Sequence, residues 1–129
     1  MAMRWFDRSA RKEVWDEAIA WPIGDIEAAQ KIREICRSAT ESAEKAGGAP
    51  DRSHKKIRRE VDRYERAAKA AMEIAMKVSD DLLRDAAVRQ IVELCLTAKD
   101  AKTANILFRA IQAESIKQAV LKEHPTLEG

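Results

Sequence analysis

Val78-Ser79-Asp80-Asp81-Leu82 lies inside a run of 74 residues, 51–124, that contains neither glycine nor proline. Its reading decides the fold. As one helix the run would measure about 110 Å at 1.5 Å per residue, far more than a domain of this length can hold. The chain must therefore fold back on polar signals alone. Ser79-Asp80-Asp81 offers an N-cap side chain followed by acids, which suit the positive end of a helix dipole. Thr97-Ala98-Lys99-Asp100 has the spacing of a capping box, and Asp100 is equally suited to cap a helix that follows it.

Outside this run, the breakers are confined to Pro22 with Gly24, to Gly47-Gly48 with Pro50, and to Pro125 with Gly129. Together with the two polar signals they predict an all-α chain, a compact bundle of about five helices in a single domain spanning 1–129. The expected helices are about 7–20, 25–45, 52–78, 80–97 and 101–123. Asp25 and Asp51 stand where N-caps for the second and third would fall.

Apolar spacing supports this division. In the second helix Ile26, Ala29, Ile32, Cys36, Ala39 and Ala43 recur at three- and four-residue steps. In the third, Ile57, Val61, Tyr64, Ala68, Ala71, Ala75, Val78 and Leu82 form a seam of period 3.5 whose middle is alanine, so a partner helix can come close. The fourth is apolar around most of its circumference, with Asp85, Arg89 and Glu93 as one narrow polar stripe, and such a helix belongs at the centre. The fifth has a wide apolar face through Ala104, Leu107, Phe108 and Ile111. One alternative follows from the seam, which runs in register through Ser79-Asp80-Asp81. If those residues do not break the helix, 52–97 becomes a rod of about 69 Å that mediates dimerisation.

Composition agrees with a folded helical domain. Hydrophobic residues make up 46% and charged residues 36% of the chain, and only 5% are aromatic, so aliphatic side chains must fill the core. The formal charge of +2 is too near neutral to argue by itself for a polyanionic partner. No stretch approaches the roughly 20 apolar residues of a membrane-spanning helix, and residues 1–20 are charged throughout. The expected compartment is the cytoplasm, with no membrane partner. Cys36 and Cys95 each lie among apolar neighbours and are expected as buried thiols.

Two surfaces stand out. Arg52, Lys56, Arg59, Arg63 and Arg66 fall on the face opposite the seam and could meet phosphates. Against that, Lys56–Glu60, Arg58–Asp62 and Asp62–Arg66 have the i,i+4 spacing that laces any solvated helix. The N-terminal segment holds Trp5, Trp15 and Trp21, with Phe6 beside the first and Arg4, Arg8, Arg11 and Lys12 between them. Its rings are expected to dock within the fold or to anchor an interface.

Catalysis has no support in the sequence. His54 and His124 are the only histidines, and neither belongs to a Glu-x-x-His pair of the di-iron type. His54 suits a cap or surface role, and His124 a cation near a helix C-terminus. Gly47-Gly48-Ala49-Pro50 lacks the lysine and spacing of a phosphate loop, and Met72 and Met76 are expected to fill core. No catalytic residue, cofactor or metal ligand is expected. The expected function is a non-enzymatic helical interaction or scaffold module that self-associates or binds a protein partner. The candidate interface residues are Trp5, Phe6, Trp15, Trp21, Ile57, Val61, Tyr64 and Ala68. The alternative is a nucleic-acid-associated protein using the basic face at 52–66.

Overall fold

A computed structural model describes residues 13–49 and 54–127, and all regular structure among them is helical. A single 3₁₀ turn, Val14–Asp16, is followed by α1 (Asp25–Gly48), α2 (Lys55–Ala75), α3 (Asp81–Thr97), α4 (Ala101–Ala110) and α5 (Glu114–Glu123). The helices pack as a compact bundle. α1 and α2 share the most extensive contact, and α3 touches α1, α2, α4 and α5, which puts it at the centre.

The alanine-rich seam explains the α1–α2 pairing. Ala67, Ala68, Ala71 and Ala75 of α2 are buried, as are Ala28, Ala39, Ala43 and Ala46 of α1, so the two backbones approach closely. Larger side chains fill what remains: Ile32, Ile35, Ile91, Val92 and Phe108 are buried with little or no exposed surface. Each full aliphatic burial contributes roughly 1.5–3 kcal/mol relative to exposure. α1 runs on through Gly47 and Gly48, beyond the predicted end at 45. Gly47 fits there because a Cβ at that position would lie 2.3 Å from the Thr97 carbonyl oxygen, where the ends of α1 and α3 meet.

The break at 79–81 is present, so the long helix through 52–97 does not form. α2 stops at Ala75, three residues before the predicted end, and Met76–Val78 wind into tight turns. The Asp25 carboxylate then accepts hydrogen bonds from the Ser79 and Asp80 amides at 2.9 and 2.8 Å. Asp80 caps α3 by accepting from the Leu83 amide at 2.9 Å. Asp25 thus lies in the first turn of α1, whose N-cap is Gly24, and serves a distant loop instead. Asp51 and the predicted start of α2 at Arg52 lie outside the described residues. The described cap is His54, whose Nδ1 accepts from the Lys56 amide at 3.3 Å.

Two further expectations are corrected. The helix over 101–123 is two helices, separated at 111–113. Asp85 of α3, only 1% exposed, accepts from the Gln112 and Ala113 amides at 3.1 and 2.8 Å, so two donors of the break are satisfied by a buried carboxylate. The helix over 7–20 is likewise not formed in its described part. Residues 17–20 follow the 3₁₀ turn as irregular chain, a strap lying across α1 and α2. Its acids pair outward instead of along a helix: Glu13 with Arg63 at 2.9 Å, Asp16 with Arg66 at 3.7 Å, and Glu17 with Lys31 at 2.6 Å. Trp15 is buried beneath them, with the Arg63 guanidinium 5.7 Å from its ring centre.

Candidate interaction surface

The hydrogen bonds from Ser79 and Asp80 to Asp25 bring the start of α1, the end of α2 and the start of α3 to one end of the bundle. Four of the five large apolar side chains exposed among the described residues stand on these segments and the adjoining strap. They are Trp21, Ile26, Met76 and Leu82, exposed by 39%, 70%, 73% and 61%, and the fifth, Ile106, is on α4. Scattered apolar residues are ordinary on a surface, but a group concentrated at one end is not.

This end opens into a cleft of about 500 Å³ between the strap and the helices α1 and α2. Trp15, Ile19, Trp21, Ile35, Ile74 and Met76 give it apolar walls. The Lys31–Glu17 ion pair, Glu73 and Lys77 add charge. Lys77 Nζ sits 4.6 Å from the centre of the Trp21 ring, a cation–π contact that holds the indole at the edge of the cleft. Trp21 and Met76 therefore belong both to the cleft and to the exposed apolar end. Such a surface can seat an apolar side chain of a partner and surround it with polar contacts.

The sequence candidates are placed as follows. Trp5, Phe6 and Arg52 lie outside the described residues. Trp15, Tyr64 and Ala68 are buried within the chain's own bundle, while Ile57 and Val61 are half-buried on α2. The 3.5-residue seam packs mainly against α1, which explains its regularity without a second chain. On the basic face, Lys56 and Arg59 are exposed. Arg63 is tied to Glu13 and Glu60, and Arg66 to Asp16 and Asp62. Of the expected i,i+4 pairs, Asp62–Arg66 is present at 3.4 Å, whereas Glu60 turns to Ser42, Lys45 and Arg63.

Met76, expected to fill core, is instead exposed. It continues the apolar pattern of α2, but the helix ends one residue before it, and its side chain leaves the core face. The stripe of Asp85, Arg89 and Glu93 is also more than a solvated edge. Asp85 binds the 112–113 amides, Arg89 pairs with Glu123, and Glu93 meets the His124 ring, so the stripe is the line along which α5 docks.

The interior holds no poised nucleophile among the described residues that titrate there. Cys36 and Cys95 are free and buried. Burial, reinforced by the neighbouring Cys95 thiol, pushes Cys36 from its ordinary 9.0 up to about 12. Burial likewise pushes Cys95 from 9.0 up to about 11, against a hydrogen bond with Tyr64 that pulls the other way. Burial and contact with Cys95 and Asp100 drive the Tyr64 phenol far upward, and its hydroxyl donates to Asp100 Oδ2 at 2.7 Å. Thiols held protonated in this way are poor nucleophiles. No helix among the described residues is long and apolar enough to cross a membrane. Against known protein families, curated proteins and solved structures, the chain shows no match.

Proposed function

We propose that this protein is a non-enzymatic helical interaction module that self-associates through the end of the bundle carrying Trp21, Ile26, Met76 and Leu82. The observation that supports this is the concentration of four exposed large apolar side chains beside the cleft that holds two tryptophans. Leaving such side chains in water costs the burial energy that a partner would recover, about 25 cal/mol for each Å² of apolar surface covered. The proposed setting is the cytoplasm, where two free thiols stay reduced.

The test is light scattering of the full chain beside the variant carrying Met76→Glu and Leu82→Glu. Both side chains are exposed, so these changes spare the core. A defined oligomer for the wild type and a monomer for the variant are expected. A wild type that stays monomeric up to high micromolar concentration overturns self-association. Nucleic acid is the competing partner, now resting mainly on the exposed Lys56 and Arg59, because Arg63 and Arg66 are engaged by Glu13 and Asp16. Salt-sensitive RNA or DNA binding that Arg59→Glu abolishes would favour that reading instead.

A further inference from the structure

The C-terminal end of the docking stripe gathers three groups that can bind a metal. Glu93 stands on α3, Glu123 is the last residue of α5, and His124 is the residue that ends that helix. One donor atom from each lies within 4.8 Å of the other two. His124 Nε2 is 2.8 and 3.1 Å from the two Glu93 carboxylate oxygens. The Arg89 guanidinium pairs with the Glu123 carboxylate.

We propose that Glu93, Glu123 and His124 form a binding site for a divalent transition-metal ion of the zinc class, which fastens the end of α5 to α3. The donor set selects that class. One imidazole with two carboxylates suits first-row transition ions, whereas calcium and magnesium favour all-oxygen shells with more ligands. Donors bound at about 2.0–2.2 Å in a tetrahedral shell lie about 3.4 Å apart, so an ion requires the three side chains to close in from their present spread of up to 4.8 Å, with His124 and Glu93 already in contact.

Placement and charge add to the argument. Glu93 projects from within the central helix, four residues before its end, and the His124 amide donates to the Val120 carbonyl at 2.8 Å, so both backbones are held before an ion arrives. With the imidazole neutral, as ligation requires, the two carboxylates carry the negative charge that an ion would meet, with Arg89 paired to Glu123 and with Arg33 and Arg37 lining the same surface as Glu93. Three protein ligands leave a fourth position for water. The consequence falls on α5, which fully buries only Val120, packs Ile116 and Leu121 partly against the core, and is joined to α3 by the polar contacts of Glu123 and His124. An ion that bridges the two helices stabilises this docking in proportion to its binding.

The experiment is calorimetric titration of the full, chelator-stripped chain with zinc chloride, paired with thermal unfolding with and without zinc. One ion per chain and a zinc-dependent rise in Tm are expected for the wild type. Glu93→Gln, Glu123→Gln and His124→Gln should each weaken binding at least tenfold and remove the Tm rise. Glu123→Gln is the safest of these for folding, because that side chain is half exposed. Cys36→Ala with Cys95→Ala should leave zinc affinity unchanged, since neither thiol is a ligand here. Absence of binding at millimolar zinc overturns the proposal. So does binding that survives Glu123→Gln and His124→Gln, or binding that the cysteine variant loses.

Discussion

At 79–81 the chain carries its own stop signal, whereas at 111–113 it borrows one from another helix. The first break contains Asp80, which caps α3 by accepting from Leu83 three residues on, and it sits beside a serine and a second aspartate. Asp25 then secures the turn by binding the Ser79 and Asp80 amides. The second break reads Ile111-Gln112-Ala113, with no capping side chain of its own, and its amides are satisfied by Asp85, 27 and 28 residues earlier. A helix can thus end by local chemistry or because a buried acceptor elsewhere offers its amides a better partner. The turn at 98–100 combines both. Asp100 accepts from Thr103 at 3.2 Å and is itself held by the Tyr64 hydroxyl, 36 residues away.

Removing each anchor tests the distinction, and Asp85→Ala should have the largest effect. It strips a buried carboxylate from two amides that have no other acceptor at the break, and about 3 kcal/mol of stability should disappear in urea unfolding. Hydrogen exchange should show α4 and α5 losing protection around 111–116 first. If protection there is unchanged, the second break does not depend on Asp85.

Alkaline unfolding probes the mixed turn. The unfolded chain releases the thiol protons near 9.0, while the folded chain holds them up to about 12 at Cys36 and about 11 at Cys95. Tyr64 adds to this above its ordinary 10.0, because its folded value is also raised. Their contribution to stability is therefore intact below pH 9 and falls as pH rises, by about 1.4 kcal/mol per unit for each group titrating only in the unfolded state. Urea midpoints between pH 8 and 11 would show it, and Tyr64→Phe should flatten the steeper part above pH 10.

Asp25→Ala should cost less than Asp85→Ala, about 1–2 kcal/mol, since Asp25 is only half-buried and Asp80 still caps α3. Combining it with Asp80→Ala should give a non-additive loss, because both side chains serve one turn. Asp25→Ala with Asp85→Ala should be nearly additive. The smallest change is expected at Lys99, the one described non-glycine residue with positive φ, at 59°. Its amide and that of Asp100 close the end of α3 by bonding Leu96 and Cys95 carbonyls. Lys99→Gly should stabilise the protein by roughly 0.5 kcal/mol, which a Tm rise of a few degrees would report.

These contrasts explain what could be read without coordinates. α1, α2 and α3 were legible because their apolar side chains repeat at helical spacing and their ends carry glycine, proline or a capping acid within the same few residues. The break at 111–113 was not, since no residue there disfavours helix. Nor was the irregular strap, whose Glu13, Asp16 and Glu17 find Arg63, Arg66 and Lys31 on other helices. Of the proposed surface, Trp21 was visible as an interface candidate. Ile26 and Leu82 read as core by their spacing and Met76 as core filling, and all three are exposed: Met76 and Leu82 flank the break between α2 and α3, and Ile26 stands in the first turn of α1.

By itself the sequence determined an all-helical bundle, an alanine seam on α2 that a partner helix can approach closely, a central α3 and the buried state of both cysteines. Those properties follow from periodicity and side-chain size, which act over one or two helical turns. Tertiary structure decided where α4 ends, that residues 17–20 do not wind into a helix, and which apolar side chains face water. It also decided that Asp85, Arg89 and Glu93 hold α5. Each of these depends on hydrogen bonds and ion pairs between residues far apart in the chain, whose pairing exists only once the helices have packed.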